Sequence, residues 1–529
     1  MGGLSVARRV SRREFPGPGA AWFPVLWLAF WAGWVVAPTP ALAQRLGRLE
    51  WTIVDLDTRE PLPCRIHLKD AAGRSIRVGK FPFWHDHFST GGSLVVLLPP
   101  GKYPFEVERG PEWARASGYF LMQATSRDRK IIGVRRLVNM SEKGWWGADL
   151  RVHRNPKDMP VVMNAEDLPL ALMITWTHQK NPWKNRPLPE KPLVQLEGQK
   201  RWVHLLGGAE HRRSGTLLYL KLKEPLAFDP QKAELPSLLP GLQQAQAQGA
   251  WIDVADPQSW ELPVWLALGG VRSIQVASAA LLRSGQTTPS QEGYVPDRRR
   301  FRGPWGQALW HQYIYFQVLD AGFRIPPSAG SGSGLVGNPV GYNRVYVYSP
   351  GPFDAKRWWD HYAQGRVVVT NGPLLRPAVE GHPPGHVFDL PGQQPLVLDA
   401  VVELDSRDPV RYVEVIHNGQ VVHRVHVQQL VRNGGRLEGL RFYEPGWFLF
   451  RAVAEVPHTY RFALSGPYYI QRKDQTTIRR RAVRFFLQWL QKARRKLRIS
   501  NRQQRAEIIR QYEQAEKFWT TRLNQAQEP

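Results

Sequence analysis

Cysteine is almost missing from this chain: Cys64 is the one thiol in 529 residues. An intramolecular disulfide and a cysteine-ligated zinc site are therefore excluded. Acidic residues are also in deficit, with 45 Asp and Glu against 71 Lys and Arg, a formal net charge of +26. That balance favours anionic partners such as a membrane surface or an acidic polymer. No helix-turn-helix, zinc-finger or aromatic RNA-binding motif accompanies it, so no nucleic-acid partner is expected. There is no internal repeat, no long low-complexity linker and no serine nucleophile elbow. What remains is a chain long enough for two to four domains, with 22 tryptophans to build large cores.

The first 43 residues read as an export signal. Arg8, Arg9, Arg12 and Arg13 form a basic head, Ala20–Ala37 is almost continuously apolar, and Ala41-Leu42-Ala43 is a cleavage site, which makes Gln44 the first mature residue. Ser11-Arg12-Arg13-Glu14-Phe15 also fits the twin-arginine pattern. The expected location is periplasmic or extracellular. An uncleaved signal would instead act as an anchor, since the apolar run is just long enough to span a bilayer.

Residues 44–139 predict an accessory β-sandwich. Leu49, Trp51 and Ile53 alternate with polar neighbours, and Tyr103, Phe105 and Val107 do so after Pro99-Pro100-Gly101. Cys64 lies in an alternating segment and reads as a small core residue, not a nucleophile. His85 and His87 could chelate a metal at i, i+2 but read as surface residues. Residues 140–388 alternate short apolar strands (Ala171–Thr175, Trp202–Leu206, Thr216–Leu222, Trp251–Val254, Ile274–Ala277, Val345–Tyr348) with helical segments. This predicts an α/β layer or barrel-type domain with functional residues at the C-terminal strand ends. Glu166-Asp167 falls in an expected helix, where a solvated or capping role is the ordinary reading. Residues 389–470 return to β, with a hairpin turning at Asn418-Gly419. Residues 471–529 predict two helices carrying 16 Lys and Arg against 5 Asp and Glu, or 16 − 5 = +11. This basic tail reads as a solvated helical face, with peripheral contact to an anionic membrane as the functional alternative.

The densest chemistry lies in Asp149-Leu150-Arg151-Val152-His153, directly after Trp145-Trp146-Gly147. Together with Gly207-Gly208-Ala209-Glu210, Ile325-Pro326-Pro327-Ser328-Ala329-Gly330-Ser331, Gly341-Tyr342-Asn343-Arg344 and Gly365-Arg366-Val367-Val368-Val369-Thr370-Asn371-Gly372-Pro373, it resembles the CehA/McbA-type metallohydrolases of the PHP (polymerase and histidinol phosphatase) superfamily over roughly residues 90–470. The resemblance implies a PHP-like α/β domain, flanking β modules and a divalent metal (zinc, manganese or iron) that activates water against ester, carbamate or phosphoester bonds. It places Asp149, Arg151, His153 and Glu210 in the catalytic centre, with His153, His178, Glu210 and Asp256 as metal ligands. Arg151 stands where the family has the first histidine of Asp-Leu-His-x-His. Trp176, Gly332 and Gly334 replace other expected ligands. Arginine cannot bind a metal, but it can hold an anionic group bidentately.

His204, in an apolar strand, reads as a core histidine, while His211, His204 and Asp253 are further ligands to consider. Gly332-Ser333-Gly334-Leu335-Val336-Gly337 fits the G-x-G-x-x-G dinucleotide pattern but follows Pro326-Pro327 instead of a strand and precedes Pro339, so it reads as a turn brought close to the site. Tryptophans crowd the central domain. They motivate the alternative to a hydrolase: a catalytically inactive envelope protein that binds a glycan or other polymer through its aromatic-rich centre.

Overall fold

A computed structural model describes residues 46–529, apart from 197, 199, 213–214, 228–238, 286–292, 296, 298, 393, 473–476 and 528–529. The export-signal reading falls on residues outside this set. Residues 45–529 form one compact unit, a strand-rich mixed α/β structure with several sheets and two C-terminal helices. No helix among the described residues is long and apolar enough to cross a membrane.

The N-terminal part has two sheets. The three-stranded one holds Gly47–Asp55 between Ser93–Leu98 and Arg127–Val134. The five-stranded one runs Phe83–Trp84, His87–Thr90, Cys64–Leu68, Gly101–Glu108, Ala116–Met122. Alternation drives the packing: Leu49, Trp51 and Ile53 point inward and share one core with Ile66, Phe88, Val107 and Phe120. Cys64 is buried in that core, and burial pushes its thiol up to about 12, so it is an inert packing residue.

The central strands Trp145–Val152, Leu170–Thr177 and Trp202–Arg212 pair in parallel. Gly215–Leu220 is antiparallel both to Trp202–Arg212 and to Trp251–Val254, and Val271–Ala277 and Pro327–Ala329 then follow in parallel. Six of these seven strands therefore run the same way, and their C-terminal ends share one edge. Beyond Pro327–Ala329 the chain returns to the end of the first strand, where Val152 bridges Ser333. On its other side the first strand pairs with Arg344–Tyr348, then Val367–Thr370, Phe462–Ser465 and Gly446–Ala454, so the sheet continues without interruption into the C-terminal β part. There the Val410–His417 and Gln420–His426 hairpin turns at Asn418 and Gly419, both with positive φ (49° and 80°), the conformation this two-residue turn requires.

The tail forms helices Arg480–Lys496 and Arg502–Gln525. Phe486, Trp489, Tyr512 and Trp519 are buried against the central domain and one another, while Arg484, Arg495, Arg498 and Arg505 stay exposed.

Two sequence expectations change. Glu166-Asp167 lies just past the helix Met159–Ala165, with Glu166 as its C-cap residue, but instead of being solvated the buried Glu166 and the largely buried Asp167 join an ion-pair hub. Arg65 pairs with Glu166 and Glu108, while Arg109, Arg136 and Arg201 converge on Asp167. This hub joins the N-terminal sheets to the central domain, which single-segment periodicity cannot reveal. His87 is also buried, at 3% exposure, because the strand it opens faces the core.

Candidate strand-end site

Asp149 is fully buried near the end of the first central strand. Its Oδ1 accepts the backbone N–H groups of Arg151 (3.1 Å) and Ser331 (3.0 Å), and its Oδ2 accepts that of Gly341 (2.7 Å). Burial pushes its carboxyl up and these bonds pull it back. Asp149 therefore ties the Ser331–Gly341 loop to the strand and has no oxygen left facing a ligand. The glycine-rich segment is a turn: Gly332 donates its N–H to the Arg151 carbonyl and accepts from Leu335 and Val336. Gly332 and Gly334 sit at φ 63° and 99°, and a Cβ at Gly334 would collide with the His153 backbone at 2.4 Å.

Arg151 is 6% exposed, and its Nε is buried without a hydrogen-bond partner among the described residues. Its charge acts on His153, His211 and Asp253. His153 Nε2 is likewise buried and unpartnered among the described residues, and its ring centre lies 6.4 Å from that of His211. Burial first, then Arg151, pushes His153 down to about 2 and His211 down to about 4. His178 is also lowered, by burial above all. Two histidines that are neutral at physiological pH, His153 and His211, thus lie beside one fixed positive charge.

Glu210 is buried and already neutralised. Arg212 donates to its Oε1 through both Nε (2.9 Å) and Nη2, and Tyr219 donates to its Oε2 at 2.6 Å. Asp253 is held by Ser273 (2.6 Å), Ser328 (2.5 Å) and Gln275 (2.7 Å). Asp256 is half-buried, and its charge acts on His211 and His311. His311 is fully buried, with Nδ1 3.3 Å from Ser278 Oγ and Nε2 2.6 Å from Gln307 Nε2. His204 is a core residue, pushed down to about 4 by burial.

The strand ends therefore gather Arg151, His153, His178, His211 and Asp256 along one edge, but these residues do not fit a metal. The carboxylates Asp149, Glu210 and Asp253 have their oxygens taken by protein donors. No three-ligand set among the described residues includes His153, His178, Glu210 or Asp256. Sequence reasoning missed the neutralising partners. Arg212 was legible in principle, since i and i+2 on a strand share a face; Tyr219, Ser273 and Ser328 arrive from other strands and left no local signal.

Asp253 carries a pH prediction. Burial raises it to about 6, above its unfolded value. Its contribution to stability is therefore full below about pH 4 and is lost as the pH rises through about 6, a change of roughly 3 kcal/mol. Melting temperatures at pH 4, 5, 6 and 7 should show a declining component in wild type that is absent in Asp253→Asn; parallel curves would refute it.

No protein-family model matches the chain and no curated protein matches it.

Proposed function

We propose that this chain is an exported relative of the PHP-type hydrolases whose strand-end site holds an anionic group of its ligand, a carboxylate or phosphoryl, on Arg151. The observation that carries the reading is the Arg151 guanidinium, buried with an unpartnered Nε beside the unpartnered His153 Nε2. Arg151 makes no ion pair among the described residues, Asp253 being the carboxylate its charge reaches, and a bidentate anion satisfies such a guanidinium. The neutral His153 and His211 add donors without competing charge. The barrel-type reading of the central domain belongs to the same proposal. It is supported by the six co-directional strands and by the Val152–Ser333 contact between the first strand and the segment after the last.

Calorimetric titration with inorganic phosphate and with acetate tests this. Arg151→Ala should weaken binding about 10- to 100-fold, by the loss of a charge-assisted pair, and Arg151→Lys should recover only part, because lysine lacks the fork. Equal affinity in wild type and Arg151→Ala overturns the proposal. Ester or phosphoester turnover that survives Arg151→Ala but falls with chelator and in Glu210→Ala would restore metal-dependent hydrolysis.

One observation favours polymer binding as a second reading. Trp202 and Phe353 stack at 4.1 Å and Trp146 abuts both, all three half-buried. Such an aromatic platform suits a sugar face. The basic tail supports contact with an anionic membrane beside either activity.

A further inference from the structure

We propose that His67, Asp86 and His87 in the N-terminal part form a separate binding site for a first-row divalent cation, zinc by donor type. Strands Cys64–Leu68 and His87–Thr90 pair antiparallel in a register that includes Ile66 opposite Phe88. One step further, His67 stands opposite His87, and cross-strand neighbours on one face have their Cβ atoms about 5 Å apart. Their rings are 5.1 Å apart. Asp86 ends the tight turn before His87 and reaches both rings: His67 Nδ1 lies 3.1 Å from Oδ2, and His87 Nδ1 lies 3.1 Å from Oδ1. Two ligands on tetrahedral zinc with bonds near 2.0 Å sit about 3.3 Å apart, so a small movement of the three groups admits the ion.

Charge separates this trio from its surroundings. A second set, His67 with Glu106 and Glu108, also lies within 4.8 Å, but those carboxylates are taken. Arg283 holds Glu106 and Glu108, and Arg65 and Arg407 hold Glu108 as well. Asp86 has no arginine or lysine within ion-pair distance among the described residues; its partners are two imidazoles. Burial keeps those rings neutral, at about 4 for His67 and about 3 for His87. Arg65 and Arg283, whose charges reach Asp86 from a distance, are engaged by Glu106, Glu108 and Glu166. His67 Nδ1 is also buried and makes no aligned hydrogen bond, even to Asp86. Two imidazole nitrogens and one carboxylate oxygen form a three-ligand zinc set that leaves a fourth position for water. Asp86, 28% exposed, provides the way in. Loading moves the His67 ring proton to Nε2 and costs the 3.1 Å bond that Arg65 Nε donates there.

The site borders the strand-end loop. Trp84, in the same hairpin, donates its indole N–H to the Val336 carbonyl at 2.8 Å, so a bound ion would stiffen the turn that packs on Arg151 and His153.

The test is zinc retention by the chelator-stripped full chain after equilibration with zinc alone, read by elemental mass spectrometry, with cobalt absorption as a second probe. Wild type and His153→Ala should retain a stoichiometric ion. Asp86→Asn, nearly isosteric and checked for fold by circular dichroism, should bind at least about tenfold more weakly, as should His87→Gln. No retention by wild type, equal affinity in Asp86→Asn, or a loss that follows His153→Ala instead would overturn the proposal.

Discussion

Arg65→Met should destabilise the protein by about 3–5 kcal/mol, because it strips the charge partner from a buried carboxylate. Arg65 is 3% exposed in its side chain, and its two terminal nitrogens hold Glu108 (2.5 Å) and Glu166. The two acids differ in what they have left. Glu108 keeps Arg283 at 2.6 Å and Arg407 at 3.1 Å. Glu166 has no other ion-pair partner among the described residues; burial already raises its carboxyl, and Arg65 is the largest opposing influence. In the variant Glu166 either protonates or stays charged without compensation. Arg65→Met combined with Glu166→Leu should recover most of the loss, since an apolar pair of similar volume often matches a buried ion pair. Urea denaturation followed by tryptophan fluorescence measures both. A single-variant loss below about 1 kcal/mol, or no recovery in the pair, would show that the hub contributes little.

Trp519→Ala should cost a similar amount, about 3–5 kcal/mol for a buried tryptophan, and should act on the tail. The indole is fully buried. It stacks on Phe486 at 4.8 Å, packs near Phe323 at 5.8 Å and donates to the Pro263 carbonyl at 2.9 Å. It thus joins both tail helices to the Leu262–Leu268 helix of the central domain. Truncation opens a cavity and removes the indole hydrogen bond to that helix, two penalties that add. Limited proteolysis should then cut the 497–501 connection between the helices well before other sites. Unchanged resistance there, with an unchanged melting temperature, would mean that the remaining contacts suffice.

Much of this fold was legible because its signals are local. Alternation marked the strand at Leu49–Ile53, a short apolar run marked Trp251–Val254, Asn418-Gly419 marked a hairpin, and helical spacing put Phe486 and Trp519 on buried faces. The strand-end residues were legible as positions, since parallel strands align their C-terminal ends, but not as chemistry. Whether Glu210 can accept a ligand depends on Arg212 and Tyr219, and whether Asp149 can depends on the N–H groups of Ser331 and Gly341, more than 180 residues away. His87 was misplaced for the same reason: its environment is set by its register with His67, and one strand read alone does not specify register.

The unbroken sheet from the central strands into the C-terminal β part has a consequence for how the chain can be divided. Val367–Thr370 is a buried strand paired on both sides, by Arg344–Tyr348 and by Phe462–Ser465. A chain ended after the central segment would present Val367-Val368-Val369-Thr370 as a bare edge, its backbone donors and acceptors unspent and its side chains apolar. Such an edge is a template for pairing with another copy. The C-terminal β part thus serves the central domain as a permanent edge cover, and a chain that lost it should pair edge to edge with its own copies.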